Sequence, residues 1–266
     1  MSYETIQLQS ADGVARLTLN LPDKLNPLTL SLQHELRDAL RSLRQDPTVA
    51  ALVITGGGKA FSSGADLTSM NAEGAVEGES LGQSVARTMR ELMNQVILDI
   101  TRLEMPVVAA VNGPAAGAGA SLALAADVVV AGRSAYFLLP FMPNLGIVPD
   151  LGATWHLPRL IGRARATALT LLGERLPAER AAEWGLIWRC VEDEQLMDTA
   201  LELGARLAQL PAHGATEVRQ AYRAAEFNSL ADQLEYETSR QEELLDRETF
   251  SEGVRAFREK RAPRFR

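Results

Sequence analysis

One cysteine, three histidines and a 5% share of aromatic residues leave this 266-residue chain short of several kinds of chemistry. The lone Cys190 excludes an internal disulfide, and its setting, IWRCV, reads as buried apolar filler. Histidines 34, 156 and 213 lie too far apart in sequence to suggest a metal-ligand cluster, so no metal is expected. Basic residues are the minority sign, 27 against 34 acidic, and the formal charge of -7 argues against a nucleic-acid surface or an anionic membrane as partner. Uncharged apolar runs long enough to span a bilayer, about 18 residues, do not occur. The opening MSYETIQLQS is polar where a secretory leader is apolar, so a cytoplasmic protein is expected. Internal repeats and low-complexity segments are also missing.

What is present is an ordinary globular composition, 46% hydrophobic and 23% charged, on a chain long enough to bury a sizeable core. Val14 to Leu19 alternates as a strand after an Ala11-Asp12-Gly13 turn. Leu32, Leu36, Leu40 and Leu43 recur at helical spacing, and Val85, Met89, Leu92, Met93, Val96 and Ile100 mark another helix. Val49 to Ile54, Val107 to Val111 and Val128 to Val130 are continuous apolar runs, as strands covered on both faces require. Alternating strands and helices predict an α/β domain with a largely parallel sheet over residues 1–200. Helical patterns at 164–172, 177–184, 194–210, 215–227 and 229–245 give the chain a mostly helical end, with 201–266 as a separate region. A polar, glycine-bearing stretch at 68–84 reads as a mobile surface loop.

The run Asn112 to Asp127, NGPAAGAGASLALAAD, sets glycine and alanine where a buried strand turns into a helix. The first N–H groups of a helix have no intrahelical acceptor and lie at the positive end of its dipole. Gly117, Ala118 and Gly119 could therefore aim amides at an anionic oxygen, or simply allow close helix–sheet packing. GGGK at 56–59 lacks the spacing and the Ser/Thr of a phosphate loop, and the glycines at 113–119 fail the dinucleotide spacing. Ser62 and Ser63 lie outside a nucleophile elbow and read as turn residues that satisfy backbone groups. Asp66 and Asp127 read as turn or helix-end carboxylates. Asp150 differs, because LGIVPDLGATW surrounds it with apolar residues: its carboxylate either serves a purpose or caps a helix.

Together these segments resemble the enoyl-CoA hydratase/isomerase (crotonase) superfamily nearly end to end. NLPDKLNPLTLSLQHEL is similar to its opening loop and helix, GGGKAFSSGADL to its first oxyanion segment, and NGPAAGAGASLALAADVVVA to its second; GIVPDLGATWHLPRLIG, ERLPAERAAEWGLI and FREKRAPRF complete the set. The resemblance implies a ββα spiral core with a C-terminal helical trimerisation region, assembled as a homotrimer or dimer of trimers. It implies an acyl-CoA substrate, with coenzyme A as part of the substrate and no separate cofactor. The backbone N–H groups of Ala65 and Ala118 would hold the thioester oxygen, while Ala65, Asp66, Leu67, Phe257 and Lys260 would border the coenzyme. Lys24 could meet a phosphate or remain solvated.

Departures from the pattern narrow the expected reaction. A hydratase of this family uses two glutamates; Ser121 stands at the first position and Phe141 or Met142 at the second. Serine has no useful proton affinity near neutral pH. Asp150 matches the single carboxylate of the family's isomerases, so the resemblance favours a double-bond shift of the Δ3-Δ2-enoyl-CoA or epoxyphenylacetyl-CoA type, with Asp150 as base. The alternatives are an enoyl-CoA hydratase and a non-catalytic CoA- or RNA-binding relative. The tryptophan used by dehalogenase-type members has no match here.

Overall fold

A computed structural model describes residues 3–67 and 78–265. β1 (Ile6–Ala11) and β2 (Val14–Leu19) form an antiparallel hairpin whose Asp12 and Gly13 turn through positive φ, as the Asp-Gly pair predicts. A short β3 (Pro27–Leu28) leads to α1 (Leu30–Gln45), where the Thr29 hydroxyl accepts the Leu32 N–H as N-cap and the predicted leucine stripe is buried. β4 (Ala51–Gly56) and β5 (Gly64–Ala65) precede α2 (Leu81–Thr88), a π-turn at Met89–Met93 and α3 (Asn94–Thr101). β6 (Val107–Val111), β7 (Ala115–Ala116) and α4 (Ala118–Leu124) repeat the pattern. So do β8 (Val128–Gly132), β9 (Tyr136–Leu138) and α5 (Ala153–Leu172), with a π-turn at Phe141–Leu145 between them.

Each unit thus gives one strand to a large sheet, one short strand outside it, and a helix. β10 (Leu176–Pro177), α6 (Ala178–Trp184) and β11 (Arg189–Val191) follow, then α7 (Leu196–Ala208), α8 (Gly214–Ala225), α9 (Leu230–Leu245) and α10 (Glu248–Glu259). The six-stranded sheet has the order β1-β2-β4-β6-β8-β11, with β2, β4, β6, β8 and β11 parallel. The short strands pair among themselves, β3 with β5 and β7 with β9, and so draw successive units into one spiral. The fold is α/β with a C-terminal helical region.

The sheet is covered on both faces, which is why its strands read as unbroken apolar runs. Leu52, Ile54, Val107 and Ala109 face the main core with the α1 leucines, while Val53, Val108, Ala110 and Val130 face α7. Gly204 lets α7 lie close: a Cβ there would come 3.0 Å from Val14 and 3.2 Å from Val53. α7 packs on β2, β4, β6 and β8 and runs unbroken across residues 200 and 201, so the change to helices expected there falls inside a helix that closes the sheet.

Three local expectations change. The helix expected at 164–172 is the second part of α5, which non-helical Gly162 (φ 75) separates from a first part beginning at Ala153 that the expected range does not include. Cys190 is half-buried rather than core filler, because β11 is a three-residue edge strand covered along one side only. Of the loop expected at 68–84, residues 68–77 lie outside the described residues; from Leu81 onward the chain is helical, started by a Ser80–Gln83 capping box.

Candidate active site

Asn26 organises the first half of the site. Fully buried and in the left-handed region (φ 53), it accepts the Leu21 N–H at 2.8 Å and donates to the carbonyls of Gly57 and Ala60, each at 2.9 Å. Its own carbonyl accepts the Ser62 hydroxyl at 2.7 Å, and that hydroxyl in turn accepts the Gly64 N–H at 3.1 Å. Ser62 therefore satisfies backbone groups, as expected of a turn serine, and the network fixes the strand that ends in Ala65. Sequence reading missed Asn26; its only local sign is a polar residue before Pro27, where the chain turns.

The second half is zipped to the first. Ala116 donates its N–H to the Ser62 carbonyl at 2.9 Å, and Ser62 bridges to Ala115. Two glycines make the approach possible: a Cβ on Gly119 would lie 2.6 Å from the Ser62 oxygen, and one on Gly64 would lie 2.5 Å from the Ala116 oxygen and 3.2 Å from the Ala118 nitrogen. Ala118 is the first residue of α4, and the helix's bonds begin with Ala120 and Ser121 donating to the Gly117 carbonyl. Its N–H thus stands ahead of the helical ladder, at the positive end of the helix, beside the strand that carries Ala65. The small residues serve both readings, packing and access to the backbone.

Asp150 enters from the next unit. Leu151 (φ 50) and Gly152 (φ 88) both take left-handed conformations, and α5 begins after Gly152, which caps it without any side-chain bond. The capping role open to Asp150 is therefore not taken. Its Oδ1 is buried and has no hydrogen-bond partner among the described residues. Burial raises its pKa from 3.8 to about 6, a shift opposed only in part by its own backbone N–H. A carboxylate of this kind is a better proton acceptor than a solvated one, and it is still ionised, and so able to act as a base, near neutral pH.

The two other positions at issue carry no carboxylate. Ser121 is fully buried one turn into α4, and its hydroxyl donates to the Asp150 carbonyl at 3.0 Å. Phe141 is buried with its ring 3.7 Å from where a Gly117 Cβ would stand, so it walls the start of α4, while Met142 beside it is partly exposed.

The remaining candidates lie around this centre or on the appendage. Lys24 is exposed on a 3-10 turn at Pro22–Lys24, and Asp66 and the exposed Leu67 directly follow Ala65. Phe257, 85% exposed, and Lys260, left-handed at the end of α10, sit on a helix that packs against α9. Glu252 fixes that end of the chain, accepting from Arg255 and Arg261, each at 2.6 Å, and from the Arg264 N–H at 2.9 Å. The structure thus links the segments that carry Ala65 and Ala118 through the Ala116–Ser62 bond, ties Asp150 to α4 through the Ser121 hydroxyl, and carries Phe257 and Lys260 on a different element. Among the described residues, no group of His, Cys, Asp and Glu is arranged to hold a metal ion, and no helix is long and apolar enough to cross a membrane.

The sequence matches the enoyl-CoA hydratase/isomerase family over residues 9–266. It is 44% identical over 253 residues to the 1,2-epoxyphenylacetyl-CoA isomerase of Escherichia coli (strain K12), covering 95% of each chain. A Rhodobacter capsulatus protein named "Probable enoyl-CoA hydratase" is 43% identical over 265 residues, 100% of this chain and 99% of that one. The crystal structure of an enoyl-CoA hydratase from Polaromonas sp. JS666 superposes with a TM-score of 0.90 at 31% identity, covering 98% of this chain and 99% of the other.

Proposed function

The chain belongs to the enoyl-CoA hydratase/isomerase family of enzymes, and we propose that within it the protein is an acyl-CoA thioester isomerase with Asp150 as its single shuttling base. One observation carries this reading: Asp150 presents a buried Oδ1 without a hydrogen-bond partner among the described residues and a raised pKa, while Ser121 and Phe141 or Met142 occupy the positions that the family resemblance gives to a hydratase's two glutamates.

The chemistry needs one carboxylate. With the thioester oxygen between the N–H groups of Ala65 and Ala118, the Asp150 carboxylate takes a proton from the α carbon of a 3-enoyl thioester. The C–H electron pair becomes the enolate double bond, conjugated with the existing alkene. The protonated Asp150 returns the same proton to the γ carbon, leaving the double bond between the α and β carbons. Preorganised donors stabilise the dienolate charge between the steps, an effect worth about 3 to 4 kcal/mol per donor where one has been removed from such a site. The relative named a 1,2-epoxyphenylacetyl-CoA isomerase supports the reading, and an epoxyphenylacetyl thioester is the other substrate type the proposal includes.

Exposed apolar side chains on α8, α9 and α10, among them Val218, Tyr222, Leu234 and Phe257, fit a trimer contact made by the helical region. The relative named a hydratase keeps the second reading, water addition to a 2-enoyl thioester, under test. Incubation with 3-enoyl-CoA and, separately, with 2-enoyl-CoA distinguishes the two: an isomerase turns the first into the conjugated 2-enoyl ester. Rapid 3-hydroxyacyl-CoA formation from the second, with no double-bond shift in the first, overturns the proposal.

A further inference from the structure

We infer that Ser121 is a positioning residue that aims Asp150 through its backbone, an inference that rests on the isomerase reading above. A base held by hydrogen bonds to its carboxylate loses basicity, because those bonds favour the charged form. Asp150 limits that loss to the bond from its own backbone N–H, since its Oδ1 is buried and unpartnered among the described residues. Its aim must then come largely from the main chain, and there the Asp150 carbonyl oxygen accepts both the Ser121 hydroxyl at 3.0 Å and the Ala153 N–H at 3.0 Å.

The Ala153 bond closes the turn on itself, through Leu151 and Gly152 in left-handed conformations. It fixes the shape of the turn and leaves its place in the fold open. The Ser121 bond supplies that place, because Ser121 belongs to α4, three residues after Ala118, and residues so spaced share a helix face. A serine inside a helix usually donates to the carbonyl four residues back. For Ser121 that oxygen, on Gly117, is farther at 3.4 Å, and the fully buried hydroxyl lies closer to Asp150. The helix that presents one oxyanion N–H thereby sets the distance from that N–H to the base. Where a two-carboxylate relative keeps an acid, this chain keeps a clamp.

The test compares Ser121→Ala and Ser121→Cys with Asp150→Asn in steady-state isomerisation of a 3-enoyl-CoA, with thermal melts of each. The clamp predicts that Ser121→Ala loses about 10- to 100-fold in kcat, the cost of a misplaced group of about 1 Å, while KM and the melting temperature stay near those of the parent. Ser121→Cys, which keeps a weak donor in nearly the same volume, falls between the two and carries the test if the alanine variant does not fold. Parental kcat in both Ser121 variants, with Asp150→Asn inactive, overturns the clamp and leaves the isomerase reading standing. Parental kcat in Asp150→Asn removes the isomerase reading itself, and the clamp with it.

Discussion

Gly64 lies against Ala118 so closely that a methyl group added at Gly64 would come 3.2 Å from the Ala118 nitrogen and 2.5 Å from the Ala116 oxygen. Gly64 also has a φ of 91°, which an alanine adopts only with strain. Gly64→Ala is expected to push apart the segments carrying Ala65 and Ala118, the proposed oxyanion donors. Steady-state kinetics on a 3-enoyl-CoA should show kcat down by about 10²-fold or more, the usual cost of losing one oxyanion donor, with a smaller change in binding of free coenzyme A.

The Asp150 pKa gives a stability prediction whose sign runs against activity. Its folded-state value of about 6 exceeds the ordinary 3.8, so the native state binds this proton more tightly than the unfolded state. The stability this group contributes is full below about pH 4 and is lost as pH rises through 6, a difference on the order of 3 kcal/mol. Asp150→Asn has no such loss. It should melt above the parent at pH 7 to 8, with the gap closing near pH 4, as calorimetry across that range would show. His156, whose own pKa is pushed down by burial first and by Arg159 second, is present in both proteins, so the comparison isolates Asp150.

Arg219 ties the helical region to the sheet. From α8 its Nε donates to the Asp127 Oδ1 at 2.6 Å and its Nη2 to the Met105 carbonyl at 3.1 Å, with a further bond to the Leu103 carbonyl. Asp127 itself accepts the Val107 N–H at 2.7 Å, at the start of β6. Arg219→Ala leaves the Asp127 carboxylate with the Val107 N–H but without its guanidinium, and the Leu103 and Met105 carbonyls without that donor, and should cost about 1 to 3 kcal/mol of unfolding free energy in urea titration. Arg219→Lys should recover only part, because an ammonium cannot reproduce the fork.

Much of this architecture was legible in the chain. The α1 leucines and the strands through Val53, Val108 and Val129 follow from helical spacing and from apolar runs covered on both faces. β1 was not: its IQLQ alternates, but it is a short edge strand that ends in the exposed Ser10 and Ala11 and buries only Ile6 of its six residues. The two-residue strands that bring Gly64 to Ala118 show no period at all. Asp150 stood out as a carboxylate among apolar residues, yet its bond to Ser121 spans 29 positions and that of Arg219 to Asp127 spans 92, and such contacts exist only once the units have wound together. Asn26 was hidden for the same reason: its partners Gly57 and Ala60 belong to the next unit.

The most direct measurement is the isomerisation of a 3-enoyl-CoA by Asp150→Asn, beside acyl-CoA binding by the same variant. A proton shuttle through Asp150 predicts binding within a few-fold of the parent and the loss of at least about 10²-fold in kcat, the usual contribution of a general base. Parental turnover by the variant would contradict it.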